Sequence, residues 1–267
     1  MPAGKRPADA LVEQGRTVHR WLAALPPEDF AQPSVLPGWD VRTLTGHLIL
    51  VHAGLTRLLG KPSAARPVPT YEFVRRYRRD VAKITEATLT ATADHTSQQL
   101  VDQLGDALDR LEHALSDEAV QSPVIDTPRG PTTVGDFIAT RIVEVVVHAD
   151  DLSRSLSDRE PITLHRAGLS RCTRTLAEIL AGQQPGRAIE VRIPPYAAVQ
   201  CSITHGGVTD HGPRHTRGTP PNVVEMDPMT FLRLATGRVR WDDAVAAGTV
   251  SASGLRANLA PALPLLS

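Results

Sequence analysis

The chain has 267 residues, enough for two small domains or one large one and for a core that needs no disulfide support. Its 29 Lys and Arg balance its 29 Asp and Glu, which argues against a nucleic-acid binder, since those carry a basic excess. No stretch approaches the ~18 apolar residues of a membrane span, and MPAGKRPADALVEQG has no apolar run behind its basic residues. Neither a membrane partner nor a secretory signal is expected, and the cytoplasm is the expected location.

In chain order, Ala8 to Leu25 carry Leu11, Val18, Leu22 and Leu25 at helical spacing, and Pro26-Pro27 stops them. After the loop Gln32 to Trp39, Asp40 is a good N-cap for a second helix from Val41 to Leu59, ended by Gly60 and Pro62. Val41, Leu44, Leu48, Val51, Leu55 and Leu58 form its apolar stripe. Tyr71 to about Ala91 is a candidate third helix. Thr96-Ser97-Gln98-Gln99 looks like a capping box that opens a further stretch, Leu100 to Leu115. The pattern leaves open whether these are two helices or one broken helix. Ser122 to Pro131 reads as a loop. Thr133 with Asp136 then opens a helix from Val134 to about Leu156. Its centre, Ile142 to His148, is rich enough in valine to suit a strand, but the length of the run favours a helix.

Beyond Pro161 the texture changes. Thr163 to Ala181 is amphipathic. Arg187 to Pro194 and Ala197 to Thr204 are short β-branched runs, and Gly206-Gly207 is a turn signal. Val223 to Met226 is another strand. Asp227-Pro228 caps a helix from Met229 to Thr236 that ends at Gly237. Thr249 to Ser253 is a last strand before a short terminal helix. The expected layout is a helical domain over residues 1–160 and an α+β domain over residues 161–267.

Three polar residues fall on inward faces. His47 is three after Leu44 and four before Val51. Glu144 and His148 are four apart among valines, one turn apart on one face. An ionised Glu in an apolar segment is costly unless it is paired or metal-bound. Two imidazoles and a carboxylate are a usual zinc set, and three protein ligands leave a fourth position open. Against this, an inward histidine is more often a hydrogen-bonded core residue, and Glu-x-x-x-His is common on solvated helices. His52 lies about 140° around the helix from His47 and reads as a rim or surface residue. Asp151 could orient a ligand or, with Asp150, sit on a solvated helix end. His205, His211 and His215 read as a solvated loop. Cys172 and Cys201 are too far apart for a Cys-x-x-Cys site and read as core or surface thiols. No Gly-x-Gly-x-x-Gly, P-loop, His-Glu-x-x-His or Gly-x-Ser-x-Gly element is present.

Three segments carry a family resemblance. Leu36 to Leu48, LPGWDVRTLTGHL, resembles the opening of the mycothiol-dependent maleylpyruvate isomerase family. Arg141 to Leu152, RIVEVVVHADDL, resembles its R-x-x-E-x-x-x-H-x-x-D-L element. Asp227 to Arg238, continued by Ser251 to Gly254, resembles its C-terminal module. The resemblance implies a DinB-like four-helix bundle followed by a sterol-carrier-protein-like α+β domain. It implies metal ligands at His47, Glu144 and His148, a divalent metal such as zinc, and mycothiol as thiol cosubstrate. The expected activity is isomerisation or S-transfer on a small electrophile through a metal-bound thiolate. Arg238 and Arg256 are candidates for holding a substrate carboxylate. The competing readings are a non-catalytic metal-binding or regulatory protein on the same fold, and a carrier of an apolar ligand.

Overall fold

The computed structural model describes residues 6–116, 123–205, 208–209 and 221–266. The chain forms two compact units. One comprises the residues up to Pro69 with Arg79–Arg171; the other comprises Thr70–Arg78 with Cys172 onward.

The first unit is helical. α1 (Pro7–Ala23), α2 (Val41–Leu59), α5 (Ser97–Ser116) and α6 (Val134–Ser155) form a four-helix bundle in which α1 and α2 each pack against both α5 and α6. Local chemistry sets the ends of these helices. Asp40 accepts from the Thr43 amide and caps α2, and Thr133 accepts from the Asp136 amide and caps α6. At the start of α5, the Thr96 amide donates to Gln99 Oε1 and the Gln99 amide donates to Thr96 Oγ1, a reciprocal box. The expected apolar stripe of α2 is buried throughout.

The segment read as one long third helix is instead α3 (Thr70–Arg75), a 3-10 turn over Arg76–Arg79, and α4 (Val81–Thr92). The arginines at 75, 76, 78 and 79 repel one another at helical spacing. Asp80 at φ −109°, ψ 0° breaks the run. α4 lies on α2 where Gly46 leaves room, since a Cβ there would clash with Thr92 Cγ2. In the stretch read as a loop, β1 (Val124–Ile125) pairs antiparallel with β2 (Thr132–Thr133) just ahead of α6. α7 (Arg166–Gln183) follows, and the division between the units falls within it.

The second unit is α+β. Its four-stranded sheet runs in the order β4 (Ala197–Cys201), β3 (Ile189–Ile193), β7 (Val223–Met226), β8 (Val250–Ser253). β3 pairs antiparallel with β4 and parallel with β7, and β7 pairs antiparallel with β8. Alternation orients β3: Ile189, Val191 and Ile193 are buried, while Arg192 pairs with Glu190 at 2.7 Å on the other face. β5 (Thr204–His205) pairs with β6 (Val208–Thr209). The expected Gly206-Gly207 turn lies outside the described residues. α8 (Pro228–Ala235) is capped by Asp227 and followed by Gly237 at φ +74°. α9 (Trp241–Ala246), too short for periodicity to show, was absent from the sequence-based expectation. The terminal helix is a 3-10 turn at Ala260–Ala262. No described helix is long and apolar enough to cross a membrane.

Candidate metal centre

α6 is buried around nearly its whole circumference. From Phe137 to Leu152 every residue is buried except Glu144. Packing on all sides is why so many β-branched residues remain helical here against their intrinsic preference. The one gap in that cover coincides with a carboxylate. Glu144 keeps 27% of its side-chain exposure, against 12% for His47 and 8% for His148.

The structure brings the three sequence-predicted residues together. Glu144 Oε2 lies 3.4 Å from His47 Nε2 and 3.3 Å from His148 Nε2. One candidate ligand atom from each residue lies within 4.8 Å of the other two. His47 comes from α2, and Glu144 and His148 from α6, so the site exists because these two helices pack. The imidazole rings meet edge to face at 4.9 Å, and the Trp39 ring stands 5.4 Å from that of His47. The loop carrying Trp39 is tied to α6 by Ser155. The Val35 amide donates to Ser155 Oγ at 3.0 Å, and that hydroxyl donates to the Asp151 carbonyl at 2.7 Å.

Asp151 settles the alternative left open for it. It is fully buried, and its Oδ2 lies 3.0 Å from His148 Nδ1. Asp150 is buried as well, so neither sits on a solvated end. A carboxylate on Nδ1 fixes the ring orientation and leaves Nε2 facing Glu144.

Electrostatics follow from this packing. Burial pushes the Glu144 carboxyl up, but its bonds to His148 and His47 and the charge of Arg141 outweigh that and hold it well below the usual range. Burial pushes His148 down, yet Asp151 and Glu144 together raise it. His47 is lowered, first by burial and further by His148 and Arg141, against the pull of Glu144. His47 Nδ1 is buried with no hydrogen-bond partner among the described residues.

This donor set fits a divalent ion. Two imidazole nitrogens and one carboxylate oxygen are suitable ligands. The 3.4 and 3.3 Å separations match the edge of about 3.3–3.4 Å that a tetrahedron with bonds of about 2.0–2.1 Å requires. A cation would also offset the two clustered carboxylates of Glu144 and Asp151.

Residues 11–153 match the family model described as the mycothiol maleylpyruvate isomerase N-terminal domain. The chain belongs to that family. Residues 165–265 match the family model described as a bacterial SCP ortholog. Among solved structures, the chain is similar to a mycothiol-dependent maleylpyruvate isomerase, at 16% identity and a TM-score of 0.59, over 92% of this chain and 91% of that one. It is equally similar to a histidine-to-alanine mutant of such an enzyme, at 15% identity and a TM-score of 0.58, with the same coverage. At these identities the likeness establishes the fold, a helical N-terminal region followed by an α+β domain. No curated protein matches the chain.

In this member of the mycothiol maleylpyruvate isomerase family, other candidates fall elsewhere. His52, read as a rim or surface residue, is a core residue with 1% exposure, its Nδ1 2.7 Å from the Leu48 carbonyl. The reading failed because it assumed one buried stripe on α2, whereas α4, α5 and α6 all pack against that helix. Cys172 and Cys201 are buried free thiols, and burial pushes Cys201 up to about 12. Arg238 donates to the Thr236 carbonyl, and the Arg256 amide donates to Asn222 Oδ1. His211, His215 and the side chain of His205 lie outside the described residues. Arg141 was missed as a site residue. A cation inside the apolar run Ile138 to Val147, three positions before Glu144, was the available signal.

Proposed function

We propose that this protein is a metal-dependent isomerase or S-transferase that uses mycothiol on a small electrophilic substrate. His47, Glu144 and His148 bind the ion, within a metal-binding domain at residues 1–160 that precedes an α+β domain at residues 161–267. The observation that carries the reading is the convergence of the three side chains around Glu144, the one residue from Phe137 to Leu152 that is not buried. Membership of the family supports mycothiol as the thiol.

A divalent ion such as Zn²⁺, held by three protein atoms, leaves a position for a thiol and lowers its pKa, so that a thiolate is available near neutral pH. The thiolate would add to an activated double bond and, after rotation about the resulting single bond, be expelled again, giving cis–trans isomerisation; protonation of the adduct before release would give S-transfer. The residues of the chain do the positioning. His47 and His148 present Nε2, and Asp151 holds His148 through Nδ1. Glu144 supplies the carboxylate oxygen and borders the opening. Trp39 stands beside His47 as an apolar wall.

The test is metal content in purified wild type beside His148→Ala, followed by an assay of mycothiol with maleylpyruvate and other small electrophiles. About one zinc per chain, lost in the variant, together with thiol-dependent turnover, is the expected result. Bound metal with no turnover of any electrophile would leave a metal-binding protein without catalysis. No bound metal in the wild type, even after zinc addition, would remove the reading altogether.

A further inference from the structure

Glu144 has two oxygens, and the structure gives them different neighbours. Oε2 is the atom close to both histidine nitrogens, at 3.4 and 3.3 Å. Oε1 is the atom within ion-pair range of Arg141, whose Nη2 is 3.6 Å away. At that length the contact is a charge pair rather than a hydrogen bond. The Arg141 side chain is 10% exposed, and its guanidinium carbon lies 4.9 Å from the centre of the Phe137 ring. Phe137, Arg141 and Glu144 follow one another at spacings of four and three, so α6 presents them along one face. An arginine cannot shed its proton, so this buried cation needs its counter-charge at every pH of interest.

Resting on the metal reading above, we infer that Arg141 is a positioning residue that holds Glu144 to ligation through one oxygen and so keeps the fourth position open for a thiol. A carboxylate that gripped the ion with both oxygens would have to turn Oε1 towards the ion and away from Arg141, which would weaken a buried charge pair. The guanidinium also stacks over the Phe137 ring, 4.9 Å from its centre, a contact it would leave by following Oε1. The same cation offsets part of the negative charge of Glu144, which eases the approach of a thiolate.

The test loads the full chain with Co²⁺, whose visible absorption is strong in four-coordinate sites and weak in five- or six-coordinate ones, and then adds N-acetylcysteine. Wild type is expected to show the strong bands and to gain a sulfur-to-metal charge-transfer band with the thiol. Arg141→Met, at unchanged ion stoichiometry, is expected to lose both the visible intensity and the thiol band, and Arg141→Lys to recover them. An Arg141→Met protein with the wild-type spectrum and thiol response overturns the inference while leaving the metal site standing. If Arg141→Met does not fold or takes up no ion, X-ray absorption on zinc-loaded wild type decides. One Glu144 oxygen at bonding distance supports the inference, and two overturn it. A wild type that takes up neither ion overturns the metal reading and this inference together.

Discussion

The two units bury different chemistry. Among the described residues, every buried acid or base lies in the helical unit: Asp29, His52, Arg141, His148, Asp150 and Asp151. The α+β unit buries only hydroxyls, one amide and two thiols beside its apolar core: Thr173, Thr175, Ser202, Asn222, Thr236, Cys172 and Cys201. Ionisable groups are costly to remove from water, and a fold that merely packs has little use for them. Their concentration in the helical unit marks where chemistry is expected.

The contrast breaks most sharply at the proposed metal ligands. Zinc at about a hundred times its Kd should stabilise the wild type by about 2.7 kcal/mol and leave Glu144→Ala unaffected, with the bound ion and thiol-dependent turnover gone in the variant. Thermal shift and metal analysis read this directly, and a variant that is stabilised like the wild type would remove Glu144 from the ligand set.

His52 should make the helical unit sensitive to acid. Burial, opposed by its bond to the Leu48 carbonyl, pushes its pKa down to about 4 from an ordinary 6.5. Above pH 6.5 both folded and unfolded chains hold it neutral. Below that, the unfolded chain takes up a proton that the folded chain refuses, so stability falls until about pH 4 and then levels. The full loss is about 3 kcal/mol. Urea unfolding of metal-free protein at pH 7 and pH 4.5 should show most of this drop in the wild type and not in His52→Gln. Parallel losses in the two proteins would contradict the assignment.

Asp151→Asn keeps the shape but not the charge beneath His148. Metal affinity should weaken roughly 10–100-fold, measured by competition with a chelator. An unchanged affinity would make Asp151 a packing residue only. In the α+β unit the corresponding expectations are plain. Asp227→Ala, which removes the cap given to the Met229 and Thr230 amides, should cost about 1 kcal/mol in urea unfolding and leave metal content untouched. Cys172 and Cys201 should not react with a thiol reagent at pH 8 until the chain unfolds, since burial raises both thiols. Rapid labelling of the native protein would contradict their burial.

Much of this molecule is written locally. Asp40, the Thr96–Gln99 box, Thr133 and Asp227 each act on amides two or three residues away, so the starts of α2, α5, α6 and α8 follow from sequence spacing alone. The pairing of Glu144 with His148 on one face was legible for the same reason, because a helix fixes neighbours four apart. Distance in sequence is where such reasoning stops. His47 lies 97 positions from Glu144, and only the packing of α2 against α6 brings it to 3.4 Å. Packing of the bundle likewise decided that His52 is core and that Arg141 and Asp151 are buried. Periodicity ranks faces on one helix, but how many of those faces are covered depends on its neighbours, and that is a property of the assembled bundle.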